Sequence, residues 1–116
     1  MNNPVLTNVA MVKKYISNAI SLEVEFKDGH MRNKAFGSTD FGNVSEAIPS
    51  IHPVFKIETD SSNHNPGFTK STFDPKNQLP TLNSAKSMAM TAIDVVCEEG
   101  LFERIKEEFN QTKYVK

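Results

Sequence analysis

The stretch TLNSAKSMAMTAIDVVCEEGLFERIKEEF (residues 81–109) carries the strongest structural signal in the chain. Apolar side chains recur in it every three or four residues, which is the period of one face of an α-helix. The first such face consists of Leu82, Ala85, Ala89, Ala92, Ile93 and Val96, with Met88 beside it. After a break at Gly100, a second face consists of Leu101, Ile105 and Phe109. The spacing therefore predicts two consecutive helices, and it predicts that Cys97, next to the first face, is a buried and unreactive thiol.

The N-terminal third predicts one more helix and a first strand. Asn3 is a suitable N-cap and Pro4 suits the first helical position, and apolar residues follow at helical spacing to about Ile20. LEVEF (residues 22–26) alternates with the period of a half-buried strand. A second, short buried strand is predicted at residues 51–57. Strands separated by helices predict an α/β fold in which helices pack on a few strands.

Two segments between these elements read as loops. Residues 30–50 have no sustained periodicity, and residues 59–80 are rich in Ser, Asn, Asp and Pro. A polar loop as long as the second is uncommon in a compact domain and is usually either functional or disordered. Candidate functional residues are therefore sought in these two segments.

Composition excludes several classes of partner. The formal net charge of -1 provides no electrostatic attraction for nucleic acid or for an anionic membrane. No apolar run approaches the roughly 20 residues that span a bilayer, and the N-terminus does not resemble a signal peptide. With a single cysteine no intrachain disulfide is possible. We expect one small cytoplasmic domain formed by residues 1–116.

The tripeptide Asp40-Phe41-Gly42 matches the DFG motif of protein kinases, in which the aspartate holds magnesium. A kinase also needs a glycine-rich loop, a strand lysine and a catalytic loop with aspartate and asparagine. The chain contains none of these and is too short for two kinase lobes. The match is therefore not a kinase signal.

The residues around this tripeptide allow two interpretations. Gly37 permits unusual backbone angles, Ser38 and Thr39 carry hydroxyls, and Asp40 can accept hydrogen bonds from backbone N–H groups. Such a loop can close over a substrate, or it can be an Asx-turn that only connects two elements. The residues alone do not decide between them.

The histidines are also open to more than one interpretation. His64, in the long polar loop, is either a metal ligand or acid–base group, or a solvated side chain. His52 is expected to be a packed histidine with one hydrogen-bond partner, and His30 an exposed turn residue. No histidine pair has metal-site spacing, so the chain does not contain a complete zinc site.

Three blocks of sequence together carry a resemblance to a known family. They are GSTDFGNVSEAIPSIHPVFKI (residues 37–57), NHNPGFT (residues 63–69) and SAKSMAMTAIDVV (residues 84–96). In this order and with these separations, they resemble the C-terminal segment of the zinc aminoacylase and carboxypeptidase-G superfamily. The nearest branch is that of the aminobenzoyl-glutamate hydrolase-like and dipeptidase-like enzymes. The resemblance extends over almost the whole chain.

The resemblance implies that the chain is the C-terminal part of an α/β catalytic domain. Members of the family are much longer, and a smaller lid domain, which usually dimerises, interrupts their catalytic domain. The lid is absent here, and so are the first histidine ligand, the bridging aspartate, the general-base glutamate and a further acidic ligand. No catalytic residue is therefore expected in this chain, and we expect it to be inactive alone. The full-length protein is expected to be a homo-oligomer.

The resemblance also implies roles for individual residues. His64 corresponds to the family's C-terminal metal-ligand histidine. Gly37, Ser38, Thr39 and Asp40 correspond to a loop that contacts the carboxylate end of the substrate, which makes Asp40 a carboxylate that organises the loop. In the full-length enzyme, two divalent ions, expected to be zinc, activate a water and polarise the amide carbonyl. The fragment alone is expected to hold neither ion.

The function that the resemblance implies is hydrolysis of N-acyl amino acids, aminoacyl-glutamates or dipeptides, with a small amide or dipeptide as the binding partner. The alternatives are a catalytically dead fragment and a small binding module that acts through a protein partner. A C-terminal fragment would leave apolar faces uncovered, at residues 5–20 and 82–96. It would therefore self-associate or be poorly soluble.

Overall fold

The computed structural model describes residues 3–26 and 39–114, and these residues form helices joined by extended segments and turns. Helix α1 packs mainly on helix α4, and helix α5 contacts both. A single 3₁₀ turn, Pro75–Asn77, leads into α4. The α-helices in chain order are α1 (Val9–Ser21), α2 (Phe41–Ala47), α3 (Pro66–Thr72), α4 (Gln78–Cys97) and α5 (Leu101–Tyr114).

The predicted α/β class is wrong, because the described residues contain helices and no strand. In the predicted strand at residues 22–26, the N–H groups of Leu22 and Val24 donate to the carbonyl of Ala19 at 3.0 and 3.1 Å. Glu23 has a left-handed backbone (φ 62°). This segment therefore closes the C-terminus of α1, which leaves its N–H groups unavailable for pairing with a neighbouring strand.

The predicted strand at residues 51–57 is also absent from the described structure. No strand in the described structure pairs with these residues, although their apolar pattern favours a strand. A strand is stabilised by hydrogen bonds to a second strand, and neither predicted strand provides one for the other. Within the described residues the helices therefore do not pack on a sheet.

Helix α1 was predicted correctly as an element but begins later than expected. Its N-cap is Asn8, whose side-chain oxygen accepts from the N–H of Met11 at 3.1 Å, and not Asn3. The preceding residues are held elsewhere: the Leu6 N–H donates to Ser45 Oγ at 2.9 Å and the Asn8 N–H to the Ser50 carbonyl at 2.9 Å. These contacts keep residues 3–8 out of the helix.

Both segments that were predicted to be loops contain helices. Residues 30–50 include α2, and residues 59–80 include α3, the 3₁₀ turn and the start of α4. Two Asx–Pro pairs start the helical pieces of the second segment. Asn65 caps α3 and Asp74 caps the 3₁₀ turn, and a proline follows each of them at the first helical position.

Helix α4 packs through polar side chains and exposes its apolar stripe. Its buried residues are Ser84, Ser87 and Thr91. Residues of the predicted apolar face lie outside, with Ile93 61% and Val96 83% exposed. The expectation that the face at residues 82–96 is left uncovered therefore agrees with the structure. For residues 5–20 the outcome is mixed, because Tyr15 and Ala19 are buried whereas Val9 is 43% and Ile20 58% exposed.

The contact between α1 and α4 combines buried side chains with hydrogen bonds. Ala19 of α1 is 1% exposed and Tyr15 is buried, with its hydroxyl 3.3 Å from Ser84 Oγ. Asn18 Nδ2 donates to Thr91 Oγ1 at 3.2 Å and to Asp94 Oδ2 at 2.8 Å. The polar groups of this interface are thus hydrogen-bonded to one another, which avoids the cost of burying unpaired polar groups.

Helix α5 packs in the conventional way, with Leu101 and Ile105 buried. Its Glu108 carboxylate accepts from the N–H of Val9 at 2.5 Å and from the N–H of Ala10 at 2.9 Å. These N–H groups belong to the first turn of α1, where the helix itself provides no acceptor. Asn8 Nδ2 also donates to the Ile105 carbonyl at 3.0 Å. The last helix therefore caps the first.

A charged contact joins α1 to the turn between α4 and α5. Lys14 pairs with the Glu98 carboxylate, to which Arg104 also bonds at 3.2 Å. The hydrogen bond that Lys14 donates to Glu98, together with the negative charge of that carboxylate, raises the pKa of Lys14 above its ordinary 10.5. Because this folded-state pKa is raised, the contact contributes below pH 10.5 and is lost as the pH rises through the shifted pKa.

Candidate functional site

The predicted substrate loop ends at the start of α2. Thr39 Oγ1 accepts from the N–H of Phe41 at 3.2 Å, and the Asp40 carbonyl accepts from the N–H of Asn43 at 3.0 Å. The Asp40 side chain is exposed and makes no capping hydrogen bond. Two other predicted residues of this loop, Gly37 and Ser38, lie outside the described residues. Within the described residues, the Thr39 hydroxyl and the Asp40 carbonyl therefore accept the hydrogen bonds of this turn.

The glycine of the Asp-Phe-Gly tripeptide has a structural role. A Cβ atom at Gly42 would lie 1.7 Å from the carbonyl oxygen of Asn3. The Gly42 carbonyl accepts from Ser45 Oγ at 2.7 Å, and Ser45 is 0% exposed. Gly42 is therefore where the N-terminal segment crosses α2 at backbone contact distance.

The close approach at Gly42 makes a testable prediction. Because the added methyl group overlaps Asn3 backbone atoms, Gly42→Ala should displace the N-terminal segment and cost about 1–3 kcal/mol of unfolding free energy. Denaturant unfolding measures this cost, and hydrogen exchange at the Leu6 amide should be faster. Val44→Ala, at an exposed position of the same helix, is the control. Equal stabilities of the two variants would contradict the prediction.

His52 differs from its predicted role. Its side chain is exposed, and its ring lies 4.8 Å from that of Phe41, centroid to centroid, at an interplanar angle of 37°. It was expected to be packed with a hydrogen-bond partner, and the contact that the structure gives it is instead with an aromatic ring. That contact places the segment after α2 against the first residue of α2. His30 lies outside the described residues.

His64 lies in an exposed turn directly before α3 and has a left-handed backbone, with φ 63°. Few residues other than glycine adopt this conformation, although histidine is among those that do so more often. The next residue, Asn65, is the N-cap of α3 and accepts from the N–H of Phe68 at 3.1 Å. The helix cap thus fixes the chain immediately after His64.

The base of the His64 loop is held by one buried side chain. Asn77 is 2% exposed, and its amide pairs with the backbone of Glu58 in both directions. Its Oδ1 accepts from the Glu58 N–H at 2.7 Å, and its Nδ2 donates to the Glu58 carbonyl at 2.9 Å. The same Nδ2 donates to the Ser71 carbonyl at 2.9 Å. Asn77 therefore ties the start of the loop to the end of α3.

Hydroxyl groups support the same loop. Ser71 Oγ donates to Thr59 Oγ1 at 2.9 Å, and Thr59 Oγ1 also accepts from the N–H of Ser61 at 3.1 Å. A Cβ atom at Gly67 would lie 2.2 Å from Ser61 Oγ. The two Asx–Pro pairs are sequence signals for the helical turns of this loop. No local sequence pattern indicates the roles of Asn77 and Thr59.

Asn77 gives a second prediction. Asn77→Ala should leave the N–H and carbonyl of Glu58 without this partner and cost about 1–3 kcal/mol, the usual penalty for a buried polar group that loses its bond. We expect protease cleavage within residues 58–65 at lower protease concentrations than in the unaltered chain. Asn63→Ala, at an exposed position of the loop, is the control. Identical cleavage of both variants would show that Asn77 does not hold the loop.

The described residues do not form a metal site by themselves. Within residues 3–26 and 39–114, no group of three or more His, Cys, Asp or Glu side chains is placed to hold an ion. A catalytic zinc needs about three protein ligands and an open position. Cys97, which was expected to be buried, is exposed because it lies at the end of the outward stripe of α4. His64 would be at most one ligand of a site that other residues complete.

Comparison with known proteins gives the chain a class. No protein-family model matches it. It is nevertheless homologous to part of a dipeptidase, which is a class of peptidase. Over 106 residues, which are 90% of this chain, it is 42% identical both to the human Xaa-Arg dipeptidase and to the mouse Xaa-Arg dipeptidase. The chain spans only about a quarter of the length of these relatives, 24% and 25% respectively.

Proposed function

We propose that this chain is the C-terminal part of the catalytic domain of a metal-dependent dipeptidase of the zinc aminoacylase and carboxypeptidase-G superfamily. The observation that carries the proposal is the 42% identity to the Xaa-Arg dipeptidases over 90% of the chain. The three sequence blocks at residues 37–57, 63–69 and 84–96 support it. In this proposal residues 1–116 are one piece of a longer enzyme and do not hydrolyse substrate alone.

In the longer enzyme, His64 supplies one ligand to a site for two divalent ions, zinc in our proposal. Its exposure and its left-handed backbone support this role, since strained residues held by their surroundings cluster at functional sites. The anchoring of the loop by Asn77 and by the cap of α3 would fix the position of the imidazole. In the proposal, the remaining ligands and the general base come from parts of the longer enzyme outside residues 1–116.

The loop formed by Gly37, Ser38, Thr39 and Asp40 has the second role. In the proposal it holds the carboxylate end of the substrate through hydroxyl or N–H groups. This orients the scissile amide relative to the metal site. The exposed Asp40 side chain, which α2 does not use as a cap, is available to organise the loop.

The relatives suggest which substrates to test. Their name specifies dipeptides that end in arginine, and we propose dipeptides of this kind as substrates of the longer protein, with N-acyl amino acids and aminoacyl-glutamates as further candidates. We also propose a homo-oligomer in the cytoplasm. As a separate finding, none of the helices in residues 3–26 and 39–114 could span a bilayer.

A chimera tests the proposal directly. The 106-residue segment of the human Xaa-Arg dipeptidase that matches this chain is replaced by the corresponding residues of this chain. We expect the chimera to cleave a dipeptide that ends in arginine. His64→Ala in the chimera should lower the metal content and lower kcat/KM at least about 100-fold, because loss of an outer-shell partner alone typically costs about 10–100-fold.

His52→Ala is the matched control, because His52 is also an exposed histidine of this chain. It should leave both activity and metal content close to those of the unaltered chimera. A folded chimera that is inactive, or one in which His64→Ala and His52→Ala have the same effect, would contradict the proposed function. Metal-dependent cleavage by the 116-residue chain alone would contradict the claim that it is an incomplete site.

A further inference from the structure

The outer face of α4 shows a pattern that does not suit contact with water. Helical geometry places Leu82, Ala85, Met88, Ala89, Ala92, Ile93 and Val96 within about 140° of one another around the helix axis. All seven are exposed. Between residues 81 and 97 the charged residues are Lys86 and Asp94. Asp94 faces α1 through its bond with Asn18, and Lys86 lies at the edge of the apolar face.

Helix α5 provides the comparison within the same chain. Its buried residues are Leu101 and Ile105, and its exposed side includes Glu103, Arg104 and Lys106. This is the usual arrangement of a helix with one face in solvent. Helix α4 is reversed, since hydroxyl groups lie inside and apolar groups lie outside. A face of this kind is typical of an interface.

The small side chains on this face also indicate how it is covered. Ala85, Ala89 and Ala92 lie along its middle, at intervals of four and three residues. Alanines there let the partner element approach the α4 backbone closely, because the distance between packed elements depends on side-chain size at the contact. The larger Leu82 and Ile93 lie along one side of this row. The partner must therefore be apolar and uncharged over about four helical turns.

We propose that the outer face of α4 is the docking surface for an apolar surface of the longer enzyme that lies outside these 116 residues. The inference rests on the proposed function, because the occupant corresponds to the part of the relatives that lies outside the segment this chain matches. Their matching segment is only 24% of the human protein, which leaves ample chain to cover the face. Helix α4 is then a buried central helix of the longer enzyme, in contact with both α1 and that surface.

The test compares one substitution, Ala89→Asp, in two settings. In the isolated chain, where Ala89 is exposed, the variant should keep the Tm within about 2 °C, as expected for a surface position. In the chimera described above, the same substitution should lower the Tm by about 5 °C or more, because a carboxylate would be buried without a partner. Glu103→Ala, on the charged face of α5, should change neither Tm.

Several outcomes would overturn the inference. One is that Ala89→Asp unfolds the isolated chain, and another is that it leaves the Tm of the chimera unchanged. A third is that the unaltered chimera does not fold, because this face would then not fit the surface that its relative offers. The isolated chain could also form a stoichiometric dimer that Ala89→Asp abolishes, while the Tm of the chimera does not change. That result would assign the face to a second copy of the chain instead.

Because the readout is the Tm, the result is independent of activity. A chimera that folds and is destabilised by Ala89→Asp but does not cleave dipeptides would support the docking surface and contradict the proposed function. A chimera that cleaves dipeptides and tolerates Ala89→Asp would do the reverse.

Discussion

The Ser87→Lys substitution is expected to unfold the isolated chain, whereas Ala89→Lys, two residues further along the same helix, is expected to leave it folded. Ser87 is 0% exposed and its hydroxyl donates to the Asn83 carbonyl at 2.7 Å, so a lysine there would bury an unpaired ammonium between α1 and α4. The penalty for an unpaired buried ion is several kcal/mol, which is comparable with the 5–15 kcal/mol that stabilises a typical domain.

Far-UV circular dichroism and denaturant unfolding of the two variants measure this difference. Ala89 is exposed in the described structure, so Ala89→Lys should change the unfolding free energy by no more than about 0.5 kcal/mol. The opposite result, with Ala89→Lys unfolded and Ser87→Lys stable, is what a helix packed through its apolar stripe would give. It would show that α4 is rotated relative to the structure described here.

The second large effect is expected at the contact between α5 and the rest of the chain. Ile105 is 2% exposed, and its carbonyl accepts the bond from Asn8. Truncating a buried isoleucine to alanine costs about 2–5 kcal/mol, because it removes apolar burial and leaves a cavity. We therefore expect Ile105→Ala to lower the denaturant midpoint substantially or to leave the chain partly unfolded.

Phe102→Ala is the control for the same helix, because Phe102 is 51% exposed although it is larger than isoleucine. We expect it to cost less than Ile105→Ala by at least about 1 kcal/mol. If truncating the larger phenylalanine proved the more damaging, α5 would present its other side to α1 and α4.

The sequence predicted the helices better than their packing. Periodicity identified α1, α4 and α5, and the break at Gly100, which has φ 74°, was correctly placed. Periodicity also identified the apolar stripe of α4, but it does not predict which element covers the stripe. In the described structure the covered side is the one with Ser84, Ser87 and Thr91, whose hydroxyls all have hydrogen-bond partners and so are not buried unpaired.

The prediction of two strands was wrong for a related reason. An alternating pattern such as that of residues 22–26 predicts a strand only if a second strand is present to pair with it. Here the N–H groups that would face such a partner cap the end of α1. The short helices α2 and α3 were missed because segments of seven residues carry too little periodicity, even though Asn65–Pro66 is a clear start signal.

The candidate site was only partly accessible from the sequence. The choice of His64 came from family resemblance, and the exposed turn and left-handed backbone at that residue came from the structure. The roles of Asn77 and Gly42 could not be predicted from local pattern. Each depends on a partner distant in sequence, Glu58 and Asn3 respectively. The roles of Asn77 and Gly42 in holding the fold come from the structure, and the metal role of His64 remains a prediction.

The cap that α5 provides for α1 has a consequence for the order of events during synthesis. The first two amides of α1 donate to Glu108, about a hundred residues later in the chain. Helix α1 is synthesised before α5 and therefore lacks that cap until residue 108 has been made. Contacts between such distant residues slow folding, so α1 should stay weakly formed and open to chaperones until α5 emerges. A stalled nascent chain that ends before residue 101 should accordingly show rapid amide exchange at Val9 and Ala10.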